Sequence, residues 1–162
     1  MPESYSVRIA KAEHVFSAAH FITYDGQCER LHGHNYHVAA EIFGALNSDH
    51  LVVDFLAVRA ALREIITELD HYVLLPTEHR ELSVKEEGDE VHVAFASRRW
   101  IFPRGDCRLL PVANTTAELL AAYIGREFKL ALASRCGLEE PQLRVELDEC
   151  DGQLAIWRSQ PK

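Results

Sequence analysis

Phe16-Ser17-Ala18-Ala19-His20, followed after seven residues by Cys28-Glu29-Arg30-Leu31-His32-Gly33-His34-Asn35-Tyr36, is the part of this chain that decides its fold. Three histidines and a cysteine fall within fifteen residues, around a turn signal at Asp25-Gly26 and between two stretches of strand character. Side chains two apart on a strand share a face, so His32 and His34 point the same way, with little bulk at Gly33 between them. If the two strands pair antiparallel, His20 near the end of the first closes a set of three imidazoles. Three neutral imidazoles with one open position match the ligand count of a catalytic zinc rather than a structural one. Cys28 has two readings. As a fourth ligand it would seal a structural tetrahedron; held off the metal but near its charge, it would have a lowered pKa and serve as a thiolate. Spacing alone leaves both open.

Outward from this stretch, residues 5–22 read as one long strand and His34 to Phe43 as the returning strand, with Tyr36, Val38 and Ala40 on one face and His37, Ala39 and Glu41 on the other. Asp54 is a good N-cap. Phe55, Val58, Leu62, Ile65, Ile66 and Leu69 then recur at three- and four-residue steps, which is an amphipathic helix. It runs out at Asp70-His71, placing both in its last turn, and Pro76 forbids continuation. Residues 77–112 are less regular, with a hairpin expected at Glu87-Gly88-Asp89 and a further strand at Trp100-Ile101-Phe102. Thr115-Thr116-Ala117-Glu118 reads as a capping box with Thr115 at the N-cap. It opens a helix that turns Leu119, Leu120, Tyr123, Ile124, Phe128 and Ala131 inward and ends near Gly137. Gln142 to Glu149 and Gln153 to Trp157 form two short strands around Asp151-Gly152. The expected fold is α+β: a four-stranded antiparallel sheet with two helices on one face, plus an inserted hairpin, in one domain over 1–162. Nothing in the chain covers the other sheet face, which points to a partner subunit.

With 162 residues, 48% of them hydrophobic, the chain is long enough to bury a core. It has no apolar run approaching ~20 residues and no basic-then-apolar leader at Met1-Pro2-Glu3-Ser4-Tyr5, so no membrane span or signal peptide is expected. The cysteines at 28, 107, 136 and 150 are too scattered for the disulfide framework of a small secreted domain, and a reducing cytoplasm is the simplest home. A net charge of −8 argues against a nucleic-acid surface.

The motifs Phe16-Ser17-Ala18-Ala19-His20, Cys28-x-x-x-His32-Gly33-His34, Val53-Asp54-Phe55, Leu69-Asp70-His71, Asn114-Thr115-Thr116-Ala117-Glu118 and Val145-Glu146-Leu147-Asp148-Glu149-Cys150 follow one another in the order and approximate spacing of the pyruvoyl-tetrahydropterin synthase family. The three-residue gap between Cys28 and His32 resembles the bacterial 6-carboxytetrahydropterin synthase branch of queuosine biosynthesis. The resemblance implies the tunnelling fold (T-fold), assembled as trimers stacked into hexamers with active sites shared between subunits. It implies zinc on His20, His32 and His34, Cys28 as the proton-abstracting thiolate, and Asp70 with His71 as its relay. Glu149 would grip the pterin ring edge or join the relay, and Thr116 and Glu118 would lie near the substrate. Three departures stand out: Glu149-Cys150 where the family has Glu-Thr, Trp157 where Tyr is common, and a 77–111 segment longer than the bacterial branch carries.

The reaction implied is a zinc-dependent lyase step on 7,8-dihydroneopterin triphosphate, giving 6-carboxy-5,6,7,8-tetrahydropterin with release of acetaldehyde and triphosphate. Rival readings are a 6-pyruvoyl product, a non-catalytic pterin-binding zinc protein, and a zinc hydrolase using Glu29 as its base. Duller roles stand beside the catalytic ones. Glu118 is first a helix-capping residue, Asp70-His71 a helix terminator, and Glu149 a solvated strand-end charge. Cys107, Cys136 and Cys150 read as small apolar fillers. Arg98, Arg99, Arg104 and Arg108 read either as a solvated face or as a triphosphate grip.

Overall fold

A computed structural model describes residues 3–10 and 12–159. In chain order the elements are β1 (Tyr5–Ile9), β2 (Val15–His20), β3 (Thr23–Tyr24), β4 (Gln27–Cys28), β5 (His32–Gly44), α1 (Phe55–Thr67), β6 (Tyr72–Pro76), β7 (Ser83–Glu87), β8 (Glu90–Phe95), β9 (Arg98–Pro103), β10 (Cys107–Leu110), α2 (Ala117–Cys136), β11 (Gln142–Cys150) and β12 (Gln153–Arg158). The class is α+β, as expected, but the main sheet has seven strands and is mixed. Its order is β10-β6-β2-β5-β11-β12, with β1 also on β5. The β6 strand runs parallel to β2, and β10 parallel to β6. Tyr72-Val73-Leu74-Leu75-Pro76, to which the sequence assigns no element, is a short interior strand, and Pro76 ends it.

The thirteen residues of β5 are the spine of this sheet. One edge pairs with β2 and β1 in succession, the other with β11. The expected single strand over 5–22 is therefore two, and it ran through Lys11, which lies outside the described residues. From Ile9 to Val15 the chain takes six steps while β5 takes three, from Ala40 to His37, so the excess loops out between the strands.

Alternation along β5 buries Tyr36, Val38, Ala40 and Ile42 against Val58, Leu62 and Ile66 of α1 and Leu120, Ile124, Phe128 and Leu132 of α2. Phe55, counted with the inward set, is exposed. The opposite sheet face is polar at its centre, where Glu146 accepts from Arg8 (2.7 Å) and Arg144 (2.8 Å), and Glu41 accepts from Ser6 (2.7 Å). A partner there would meet charge at the centre and the exposed Leu154 and Ile156 at the β12 edge.

Both helix entries follow from local chemistry, with one correction. Asp54 caps α1, accepting from Leu56 N at 3.0 Å. The cap of α2 is Thr116, accepting from Leu119 N, and not Thr115. Thr115 is fully buried and committed elsewhere: its hydroxyl donates to the Phe21 carbonyl (3.2 Å). Glu118 thus falls one position short of a capping box and sits exposed in the first turn. Gly137 ends α2 in the left-handed conformation, φ 64°. The first helix stops at Thr67, so Asp70 and His71 follow it rather than forming its last turn. They bind the sheet instead, with Ser17 N donating to Asp70 Oδ1 (2.7 Å) and His71 N to the Ser17 carbonyl (2.6 Å).

The 77–111 segment is more than a hairpin. Strands β7, β8 and β9 form a separate three-stranded meander, and β10 returns to the main sheet. Val91, Val93 and Phe95 close a second apolar cluster with Phe21, Cys28, Leu75, Leu82 and Cys107. Cys107 is the apolar filler expected and Cys136 is half-buried, but Cys150 is exposed. All four cysteines are free thiols.

Where α2 crosses β12, Gly125 faces the Trp157 ring so closely that a Cβ would lie 2.1 Å from a ring carbon. Overpacking of this kind costs ~1–3 kcal/mol, against ~1 kcal/mol that alanine gains over glycine in a helix. Gly125→Ala should therefore lose up to ~2 kcal/mol in urea unfolding, with a shifted tryptophan emission. A gain of ~1 kcal/mol would show that the ring swings aside freely.

Candidate metal centre

The antiparallel register of β2 on β5 sets His20 directly opposite His32 and Ala18 opposite His34. All three histidines stand on the helix-covered face, at the end of the sheet beyond the core. Ring centroids are 4.7 Å apart for His20 and His32, 5.3 Å for His20 and His34, and 5.0 Å for His32 and His34. One ligand nitrogen from each lies within 4.8 Å of the others, so the three could hold one metal ion. Gly33 matters for a reason other than the gap between rings. A Cβ there would meet the Ala18 carbonyl at 3.1 Å, pushing at the very strand that carries His20.

The tautomers suit a metal. His20 Nδ1 donates to the Thr115 carbonyl (2.8 Å) and His32 Nδ1 to the Arg30 carbonyl (2.8 Å), which leaves each Nε2 with its lone pair. Burial pushes the pKa of His20 below its ordinary value, outweighing the Thr115 carbonyl and the Glu149 charge that favour protonation; the neighbouring imidazoles add to the fall. Neutral imidazole is the form that binds metal. The donor set therefore fits a divalent ion of the borderline-soft kind.

Two more groups complete the cluster. Glu149 Oε1 lies 3.5 Å from His20 Nε2 and 3.8 Å from His34 Nε2. The fully buried Tyr36 hydroxyl donates to that oxygen (3.2 Å) and sits 3.2 Å from His20 Nε2. Burial, reinforced by the Glu149 charge, raises the pKa of Tyr36 far above its ordinary value, so it remains a phenol. The sequence pattern places Tyr36 on one strand face with Val38 and Ala40 and assigns it no part in the site, although its place two positions after His34 sets it on the ligand face.

Other sequence-chosen residues fall elsewhere. Cys28 is not among the converging ligands. Its sulfur packs in the second apolar cluster, and burial raises the thiol pKa, with Arg98 opposing and Glu29 adding. Asp70 and His71 are bonded to each other (2.9 Å) but anchor at Ser17, whose side chain faces away from that of His20. Among the described residues no hydrogen bond or ion pair joins them to Cys28. Thr116 and Glu118 lie at the start of α2, next to the carbonyl that orients His20. The four arginines do not form one grip. Arg104 pairs with Glu86 and Arg108 with Glu68, Arg99 turns back to the Ala96 carbonyl, and Arg98 reaches the carbonyls of Cys28 and Glu29.

A family model described as 6-pyruvoyl tetrahydropterin synthase matches residues 8–160. A Methanocaldococcus jannaschii protein named "Putative 6-carboxy-5,6,7,8-tetrahydropterin synthase" is 31% identical over 144 residues, 88% of each chain. A Pyrococcus horikoshii protein of the same name is 33% identical over 136 residues, 83% of this chain and 79% of that one. The solved 6-pyruvoyl tetrahydropterin synthase of Plasmodium falciparum superposes with a TM-score of 0.89 at 26% identity, covering 99% of this chain and 100% of that one. Its Plasmodium vivax counterpart gives 0.88 at 25%.

The ligand set is tested by metal analysis of gel-filtered protein. The parent should retain about one divalent ion per chain, and His34→Ala none, because two imidazoles are too few for a stable site. Tyr36→Phe should keep the ion with affinity lowered ~10-fold, the cost of an outer contact that orients a ligand. Full retention by His34→Ala would show that the three rings do not act together.

Proposed function

Because the chain belongs to the 6-pyruvoyl tetrahydropterin synthase family, we propose that it is a zinc-dependent lyase acting on 7,8-dihydroneopterin triphosphate, consuming one water and releasing triphosphate and acetaldehyde. Its product on this reading is 6-carboxy-5,6,7,8-tetrahydropterin, the product in the names of the archaeal relatives. The observation that carries the proposal is the convergence of three imidazoles beside a carboxylate held by Tyr36. Zinc bound there would act as a Lewis acid, polarising the side-chain hydroxyls of the substrate.

The chain's own residues do the rest. Glu149 is a rigid acceptor of two parallel hydrogen bonds, suited to the amino-pyrimidinone edge of a pterin. A ring gripped there lays its side chain across the histidines. Thr116 accepts from Leu119 N yet keeps its own O–H for the substrate, and the exposed Glu118 stands beside it. Cys28 takes the proton from the side-chain carbon, and a thiol suits that step because its proton affinity lies near neutral pH. Asp70 and His71, anchored at Ser17 away from Cys28 in one chain, serve a neighbouring subunit's Cys28. That division calls for a trimer or a hexamer built on the free sheet face and the β12 edge. The chain is read as one domain with a 77–111 insertion, working among free thiols in a reducing cytoplasm.

A second base is favoured by one observation. Cys28 is buried with its thiol pKa raised, whereas Glu29, the next residue, is exposed and adds its charge to the same loop.

Incubation with 7,8-dihydroneopterin triphosphate and mass identification of products tests these readings together. Expected are the 6-carboxy pterin and acetaldehyde; a 6-pyruvoyl product changes the reaction, and bound pterin without triphosphate release makes the protein a binder. Cys28→Ala should keep its metal and lose turnover by ~100-fold or more, while Glu29→Gln stays within a few-fold. The reverse pattern assigns the base to Glu29. Loss of metal from Cys28→Ala makes the sulfur a ligand.

A further inference from the structure

Cys28 and Glu29 leave a very small ribbon. Strands β3 and β4 pair over two residues each, Thr23 with Cys28 and Tyr24 with Gln27, around a turn in which Asp25 and Gly26 both have positive φ, 49° and 70°. That is the left-handed pair expected of a two-residue hairpin. A hairpin this short has no stability of its own, so something outside must fix the segment from which the proton-transfer group is presented.

The 77–111 meander supplies that anchor. Arg98, at the start of β9, donates from one guanidinium nitrogen to the Cys28 carbonyl and to the Glu29 carbonyl (3.2 Å). The guanidinium is itself held over Trp100, its central carbon 4.5 Å from the ring centroid. Trp100 stacks on Phe21 at 4.8 Å and 21°, and Phe21 directly follows the metal-centre residue His20. A second tie runs from the start of the same segment. His79 Nδ1 accepts from Glu81 N (3.0 Å) and Leu82 N (2.8 Å), so its Nε2 carries the proton and donates to Thr23 Oγ1 (2.6 Å). The ribbon is thus pinned at both strands by residues of one inserted element.

We propose that Arg98 is the positioning residue of the Cys28–Glu29 segment, and that the 77–111 meander serves to hold this segment in register with the histidine cluster. The assignment rests on the lyase reading for its kinetic consequence, but not for its geometry. One guanidinium nitrogen serves two successive carbonyls while the group rests on an aromatic ring; an ammonium could reach the carbonyls but has no plane to stack on Trp100. The role is one of position because Arg98 touches backbone carbonyls and no converging metal ligand.

The test uses Arg98→Met and Arg98→Lys in the full-length protein, with turnover, metal content, melting temperature and amide hydrogen exchange measured on each. A displacement of the base by about 1 Å costs ~100-fold in rate, so Arg98→Met should lose ~10- to 100-fold in kcat with KM within about threefold. Arg98→Lys should lose less, but still ~5-fold or more. Both should keep their metal and melt close to the parent, while exchange quickens over residues 25–31 and stays unchanged in β2 and β5. A kcat within about twofold of the parent in either folded variant overturns the proposal, as does a loss that follows metal release or general unfolding. Should Arg98→Met fail to fold, Arg98→Lys decides alone. If the parent does not turn over the pterin, the lyase reading fails by itself. Exchange over 25–31 then decides the positioning claim: faster supports it, unchanged sinks it.

Discussion

The pairing that sets His20 opposite His32 and Ala18 opposite His34 leaves no room for error, because a slip of one residue sends both β5 histidines to the other face of the sheet. The register is over-determined. On the same face Tyr36, Val38, Ala40 and Ile42 are buried under both helices, so a slip would also drive the core of the protein into solvent. Gly33 adds a local condition, since only a residue without a Cβ fits freely against the Ala18 carbonyl. The hydrophobic core thus sets the geometry of the histidine cluster, and the polar end of β5 inherits it at no further cost in order.

The second constraint comes from the far end of the chain. The Thr115 carbonyl fixes the tautomer of His20, and the Thr115 hydroxyl holds the Phe21 carbonyl one residue on. Those duties explain why α2 begins a residue later than its sequence suggests, with Thr116 as cap. Glu149, from β11, closes the cluster through Tyr36. Segments near 20, 34, 115 and 149 therefore meet at one point, each brought by its own element.

Periodicity made much of this readable in advance. The His-x-His spacing needs only the two-residue repeat of a strand, and the Asp54 cap and the Gly137 end of α2 need only their immediate neighbours. What failed to show had distant causes. The cap register of α2 depends on Phe21 and His20, and the strand character of Tyr72–Pro76 depends on β2 and β10 lying beside it. The burial of Cys28 does not show in its neighbours because Val91, Val93 and Phe95, which bury it, come more than sixty residues later. The arginines of the 77–111 segment form one cluster in the sequence, yet they fall on β9, the turn after it and β10, and each meets a different partner.

The contact between Gly125 and Trp157 ties the fates of two positions in different elements. A smaller ring at 157 would leave a hollow that an alanine at 125 could fill, whereas an alanine at 125 beside the indole meets a clash. Evolutionary drift through this pair is consequently directional: the aromatic must shrink before the helix can acquire a side chain. Homologues should keep the glycine with the indole and shed it only after the indole has gone.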